Sequence, residues 1–336
     1  MKKFVAALLC VVMVLALCAC GSTAAPAASN GASGEKTFNL TLAHNLAEDH
    51  AVHVAMTAWA DAVKAASNGT INISIVPNGT LGSESDCVSQ IQAGQLEMTK
   101  VSAGTLGNFA TEWNCLSVPY VFRDRDHLYT VMNGDIAQDL YKLTESAGFV
   151  GITWLESGIR CFYTKDTAVR TPADLNGLKI RTMQSDMAIA MMDAFKASAM
   201  AMGYGDIYTA MQTGVVDGAE NNVTALRDHM DVTKYYCYDE HTMIPDVIVI
   251  SSKVWNEMSD AQKAVMQSTA LDMTANYRQL WADFEQSVID AASAKGVEFV
   301  KDVDKDAFLA AVKPIYENLK ANDAATYAFV EQIQAA

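Results

Sequence analysis

Proline and glycine are scarce, at 6 and 19 of 336 residues, while 51% of the chain is hydrophobic and 19% charged. That balance excludes a disordered or collagen-like chain and leaves enough apolar material for a sizeable core. Positive charge is short as well: 24 Lys and Arg face 39 Asp and Glu, a net charge of −15. Such an excess of carboxylates argues against nucleic acid, or an anionic membrane face, as a broad-surface partner. Enzyme signatures are missing. There is no Walker A loop, no GxSxG elbow and no GxGxxG after a strand; Gly203-Tyr204-Gly205 lacks the third glycine. Cys87, Cys115, Cys161 and Cys237 form no CxxC pair, so a zinc site is not expected, and their pairing cannot be read from spacing. His50 and His53 share a helix turn with no ligand cluster to complete them. Asp239-Glu240-His241 has no nucleophile in a recognisable context and reads as a solvated or hinge segment. A non-enzymatic chain without cofactor or metal is expected.

The N-terminus reads as an address. Lys2 and Lys3 precede the apolar run 4–16, too short to span a bilayer and suited to a signal-peptide core. Leu17-Cys18-Ala19-Cys20-Gly21 resembles a bacterial lipoprotein processing box, which implies lipidation at Cys20. Residues 1–19 are then a signal peptide, and 20–36, rich in Ala, Ser and Gly, a lipidated flexible tether. The mature protein is expected outside the cytoplasm, held to the cell membrane by lipid alone.

The body alternates strands and helices. Phe38, Leu40 and Leu42 alternate, as do Ile71, Ile73 and Ile75, with an amphipathic helix through Val52, Met56, Trp59 and Val63 between them. This opening predicts an α/β fold with parallel pairing. Further strands are expected at 98–102, 149–155, 160–163, 179–182, 216–219 and 247–251, and helices at 84–93, 125–146, 184–197 and 206–213. A helix from Ser259 to about Lys295 would be roughly 50 Å long, enough to cross two lobes. The seven methionines from Met183 to Met211 suit core packing, or else a soft-walled binding surface.

Two long segments carry a resemblance: Thr171-Pro172-Ala173-Asp174-Leu175-Asn176-Gly177-Leu178-Lys179-Ile180-Arg181, and residues 208–222, which end in Asp217-Gly218-Ala219-Glu220-Asn221-Asn222. With Gly79-Thr80-Leu81-Gly82, Gln92-Ala93-Gly94 and Val118-Pro119-Tyr120-Val121-Phe122 in order before them, the chain is similar to the TRAP-transporter extracytoplasmic solute-binding proteins, the DctP family. The resemblance implies a two-lobed, periplasmic-binding-protein-like α/β fold with a ligand cleft between the lobes and a long C-terminal helix crossing both. Lobe I is expected at 37–157 and about 246–285, lobe II at 158–245 and about 286–330. It also implies a monomeric receptor that delivers a small organic acid to an ion-gradient-driven permease.

By the same resemblance, Arg181 takes the ligand carboxylate in a two-pronged salt bridge, Arg160 adds a second positive centre, and Asn221 meets hydroxyl or keto groups. A guanidinium suits the first role because its planar fork matches a carboxylate and never loses its proton. The segment 196–202 departs from the family by lacking its usual Gly and Pro, which leaves one wall of the site open to question. The DGAENN run and Gly82-Ser83-Glu84 are similar to members that bind sugar acids such as hexuronates. Glu84 at a helix start would accept from sugar hydroxyls or offset the helix dipole, with His50 and Trp154 as further wall candidates. A C4-dicarboxylate or 2-oxo acid is the alternative ligand; a ligand-sensing lipoprotein and a lipoprotein hydrolase are the rival classes.

Overall fold

A computed structural model describes residues 35–336; the signal peptide, Cys20 and nearly all of the tether lie outside the described residues. Eleven strands run in chain order: β1 Phe38–Ala43, β2 Ile71–Val76, β3 Met98–Ser102, β4 Phe149–Leu155, β5 Arg160–Thr164, β6 Lys179–Thr182, β7 Ser198–Ala201, β8 Gly218–Asn222, β9 Tyr235–Thr242, β10 Asp246–Ser251 and β11 Glu298–Val300. They form two sheets, ordered β2-β1-β3-β10-β4 and β11-β9-β5-β8-β6-β7. The opening strand–helix–strand unit pairs in parallel, with Phe38 against Ile71 and Ala43 against Val76. β10 returns antiparallel between β3 and β4, and β5 lies antiparallel between β8 and β9.

The chain passes between the sheets through 156–159, again through 243–245, and along one helix, Asp260–Ala294. At 1.5 Å per residue that helix is about 50 Å long. Ser259 and Gln262 close its N-terminus as a capping box. It packs on the Ala51–Ala66 helix beside the first sheet and on Leu226–His229 beside the second. Tyr277 and Trp281 are buried along that path. The fold is thus the two-lobed α/β architecture expected, with the lobes close enough that Lys36–Ala336 make one compact body. Among the described residues no helix is long and apolar enough to cross a membrane.

Two local expectations change, and the state of the cysteines, left open by their spacing, is settled. The single helix expected at 125–146 is two, Arg125–Met132 and Asp135–Leu143, followed by a 3-10 turn, because Gly134 takes an extended conformation as a new N-cap. The 216–219 strand runs instead over Gly218–Asn222, since the Asp217 carboxylate accepts the N–H of Lys179 and ends the preceding turn (2.8 Å). All four body cysteines are buried free thiols.

A third change concerns Asp239-Glu240-His241, which is neither a loop nor a hinge but part of β9. His241 and Asp239 are fully buried. Asp239 accepts the N–H of Phe162 (3.0 Å) and receives His241 Nδ1 at 2.6 Å, while His241 Nε2 faces Glu220 Oε2 at 3.3 Å. Burial alone would lower the imidazole pKa, but Asp239 and Glu220 outweigh it and raise the value to about 9. His241 is therefore an imidazolium that donates from both nitrogens and ties β9 to β8 across β5. Burial alone would likewise raise Glu220, yet Arg160 and His241 bring it down to about 2.

A histidine whose folded pKa is raised adds stability below its unfolded value and loses it as pH climbs through the folded one. The melting temperature should therefore fall as pH rises from 6.5 toward about 9. His44, His50 and His229, held near 3 chiefly by burial, are neutral in the fold and titrate only in the unfolded chain near 6.5, so they oppose this slope up to about pH 7.5 and leave the window from there to about 9 to His241. Differential scanning calorimetry of His241→Gln should show a lower melting point and a flatter profile across this window. A slope identical to that of the unsubstituted protein would refute the imidazolium assignment.

Candidate functional site

In open α/β sheets, ligands sit beyond the carboxyl ends of the parallel strands. Those ends converge here. β1 leads to Asn45 and His50, β3 ends with Lys100 and Ser102, β6 carries Arg181 and leads to Met183, and β8 ends with Asn221 and Asn222. The antiparallel strands add their beginnings at the same place: Arg160 lies opposite Asn222, and Asp246 opposite Ser102. Between them is a cleft of about 530 Å³, counted out to its mouth. Residues of the two lobes touch on either side of it. Arg227 pairs with Asp49, and the Asn108 amide donates to the Gln184 carbonyl at 2.7 Å.

Arg181 is only 4% exposed and lines this cleft. Its Nε and one Nη2 hydrogen donate to the Met202 carbonyl, at 3.1 and 2.7 Å. No acidic partner meets it among the described residues. Burial lowers its pKa from the ordinary arginine value, but a guanidinium stays charged at any physiological pH. Of five N–H groups, two are used, and those on Nη1 and the rest of Nη2 remain for a ligand. Met202 follows β7, the segment that lacks the family's Gly and Pro. Without proline, Ser198–Ala201 donates normally and pairs in parallel with β6, which fixes the carbonyl that orients Arg181.

Arg160 also lines the cleft, but its charge is matched. Nε and Nη2 donate to the two Glu220 carboxylate oxygens at 2.7 and 2.8 Å, Nη2 to the Glu220 carbonyl at 2.8 Å, and Nη1 to Asn221 Oδ1 at 2.7 Å. One N–H remains, so Arg160 is a polar wall with a filled fork and not a second open cation. Asn221 Oδ1 is further occupied by the Asn222 N–H (2.9 Å), which leaves its amide NH₂ for the cavity.

His50 caps its helix, accepting the Val52 N–H on Nδ1 (3.2 Å). Burial holds its pKa near 3, so the ring is neutral and its Nε2 carries a proton to donate. Glu84 is half-buried at the start of the Glu84–Gln92 helix. It receives Lys100 Nζ at 2.8 Å on one oxygen, and Ser102 N–H and Thr105 Oγ1, both at 3.2 Å, on the other. Trp154 is not in the cleft. Its indole donates to Asn133 (3.0 Å), packs edge-on against Tyr129 and lines a separate pocket with Tyr141. Alternation in β4 sends it away from the cleft.

Lys100 and Asp246 were not foreseen. Lys100 is 3% exposed, and burial, which would lower its pKa, is outweighed by Asp246 and Glu84, which raise it. Asp246 sits 3.4 Å from Lys100 Nζ. The signal for Lys100 was a charge inside the otherwise strand-like run Met98-Thr99-Lys100-Val101-Ser102. Met183 lines the cleft, while Met187, Met191, Met192 and Met211 are core.

Comparison with known proteins agrees with this geometry. The profile of the bacterial extracellular solute-binding proteins, family 7 (DctP), matches residues 42–323. The uncharacterized protein YiiZ of Salmonella typhimurium is 34% identical over 307 residues, 90% of this chain and 92% of that protein. A TRAP periplasmic solute-binding protein from Bradyrhizobium sp., solved in complex with α/β-D-galacturonate, superposes with a TM-score of 0.86 at 35% identity, covering 89% of this chain and all of that one. One from Anaerococcus prevotii with bound D-glucuronate gives 0.85 at 34%, over 89% and 98%. The chain belongs to the DctP family of extracellular solute-binding proteins, receptors of the TRAP type rather than enzymes.

Proposed function

We propose that this chain is the lipid-anchored receptor of a TRAP-type uptake system, that it captures a hexuronate, and that it hands the acid to an ion-gradient-driven permease. The observation that carries the reading is Arg181: a buried guanidinium with three open N–H groups and, among the described residues, no acidic partner, lining the cleft between the strand ends. A carboxylate docks there on two parallel N–H bonds. The remaining wall suits the hydroxyls of a sugar. Asn221 and His50 offer donors, and Asp246 and Glu84 offer acceptors, whereas a hydroxyl both donates and accepts. The relatives with bound galacturonate and glucuronate support the same ligand class. Closure over the acid removes water, so these contacts act in a lower dielectric than the open surface provides.

Truncating one arm of a buried charged pair costs about 2–5 kcal/mol. Isothermal titration with D-glucuronate and D-galacturonate should therefore show Arg181→Ala binding more than tenfold weaker. Arg181→Lys, which keeps the charge and loses the fork, should fall between the two. Unchanged affinity in a folded Arg181→Ala protein would remove Arg181 from the site. For the anchor, Cys20→Ala expressed in a bacterial host should move from the membrane fraction to the soluble one and lose labelling by palmitate. Retention of label at another residue would exclude Cys20.

A further inference from the structure

We propose that the cleft admits acids with one carboxylate and rejects dicarboxylates, and that Asp246 is the residue that enforces the difference. The inference rests on the carboxylate-at-Arg181 reading above and extends it to the far end of the ligand.

The argument is a census of the charges around the cavity. Three cations reach it: Arg160, Arg181 and Lys100. Arg160 is closed by both oxygens of Glu220, and behind that pair Asp239 balances the His241 imidazolium. Lys100 is shared by two carboxylates, with Glu84 at 2.8 Å and Asp246 at 3.4 Å, so this corner carries one negative charge in excess. His50 is neutral. Among the described residues that line the cleft, only Arg181 presents a positive charge without an ion pair.

The cleft is thus polarised, with an open cation on β6 and surplus carboxylate where β3 meets β10. Once the first carboxylate of a ligand has taken Arg181, a second one finds no open cation. The Arg160 fork is filled, and the Lys100 ammonium already answers two acids.

Asp246 is the decisive neighbour. Glu84 already accepts from three donors, whereas Asp246 is 5% exposed, lines the cavity, and has Lys100 at 3.4 Å as its one ion pair among the described residues. It is an acceptor awaiting a donor. An alcohol supplies one; an ionised carboxylate does not, and placing like charges together costs several kcal/mol. A hexuronate therefore fits with its hydroxyls toward Asp246. A hexarate, which replaces the aldehyde carbon by a second carboxylate, does not fit, nor does a C4-dicarboxylate.

Burial raises the Asp246 pKa, so the measurement is made at about pH 8, well above the ordinary carboxylate range. D-Glucuronate, D-glucarate and succinate are titrated calorimetrically into the intact protein, its Asp246→Asn variant and its Glu84→Gln variant. Either substitution removes the surplus negative charge, so one serves if the other does not fold. Expected is a preference for glucuronate over glucarate of about a hundredfold or more in the unsubstituted protein, narrowing by at least about tenfold in Asp246→Asn. Diacid affinity within threefold of the monoacid would overturn the proposal. So would folded variants of both kinds that hold glucuronate with an unchanged ratio. A protein that binds glucarate or succinate alone overturns it as well, while leaving Arg181 as the carboxylate anchor. Binding of none of the three removes the hexuronate reading itself, and this inference with it.

Discussion

A positive charge buried without a counter-charge is the constraint around which this molecule is arranged. Removing an ion from water costs several kcal/mol even after relaxation, and proteins ordinarily offset that with a partner. The other buried cations here follow the rule: Lys100 has Glu84 and Asp246, and Arg160 has Glu220. Arg181 has one backbone carbonyl. A lysine so placed would release its proton; an arginine cannot. The unbound protein therefore holds a standing electrostatic demand, and on the proposed reading a carboxylate of the right reach satisfies it. Two hydrogen bonds to a single carbonyl fix the plane of the guanidinium before the ligand arrives, which limits the ordering cost of binding.

The rest of the second sheet gives that demand its direction. β5 lies between β8 and β9, and the chain Arg160–Glu220–His241–Asp239 runs through all three strands to the Phe162 N–H. Breaking one member of such a network leaves a partner buried and uncompensated, which costs about 3–5 kcal/mol, so the members persist together. Its consequence for the cleft is subtraction. By closing the Arg160 fork, Glu220 leaves Arg181 as the cation that the proposed ligand carboxylate would meet. Gly158, two residues before Arg160, permits the approach. Its φ is +68°, and a Cβ there would meet Trp281 of the long helix at 3.0 Å and Asn222 at 3.1 Å. The link between the sheets is thus pressed against the helix that spans them.

What the sequence could and could not reveal follows from the range of the forces involved. Alternation placed β1 and β2 close to their bounds, because burial of one face is a local property of five or six residues; β3 to β6 also lie close to where they were expected. Arg181 and Asn221, singled out by resemblance to the family's motifs, and His50, a wall candidate on the first loop, line the cleft. β9 was hidden because Asp239-Glu240-His241 is polar in sequence and buried in space. Its charges cancel against Glu220 and Arg160, some 20 and 80 residues earlier, and periodicity carries no trace of such a pairing. Lys100 was hidden for the same reason. Trp154 shows the opposite error: an aromatic on the right strand, one residue out of phase with the cleft. The partnership of Arg160 with Glu220 was equally invisible, since β5 and β8 meet only after the β6–β7 excursion returns.

The overall charge of the chain sharpens the meaning of this arrangement. At −15 the protein repels an organic anion at long range, so electrostatic steering cannot raise the capture rate. Screening limits that repulsion to about 8 Å at physiological ionic strength. On the proposed reading, attraction begins only when the acid is close enough for the Arg181 field to act through low-dielectric surroundings. Such a receptor would discriminate at contact rather than at a distance, with the fixed groups of both signs that we propose for selectivity: Arg181 on β6 and Asp246 at the β3–β10 edge.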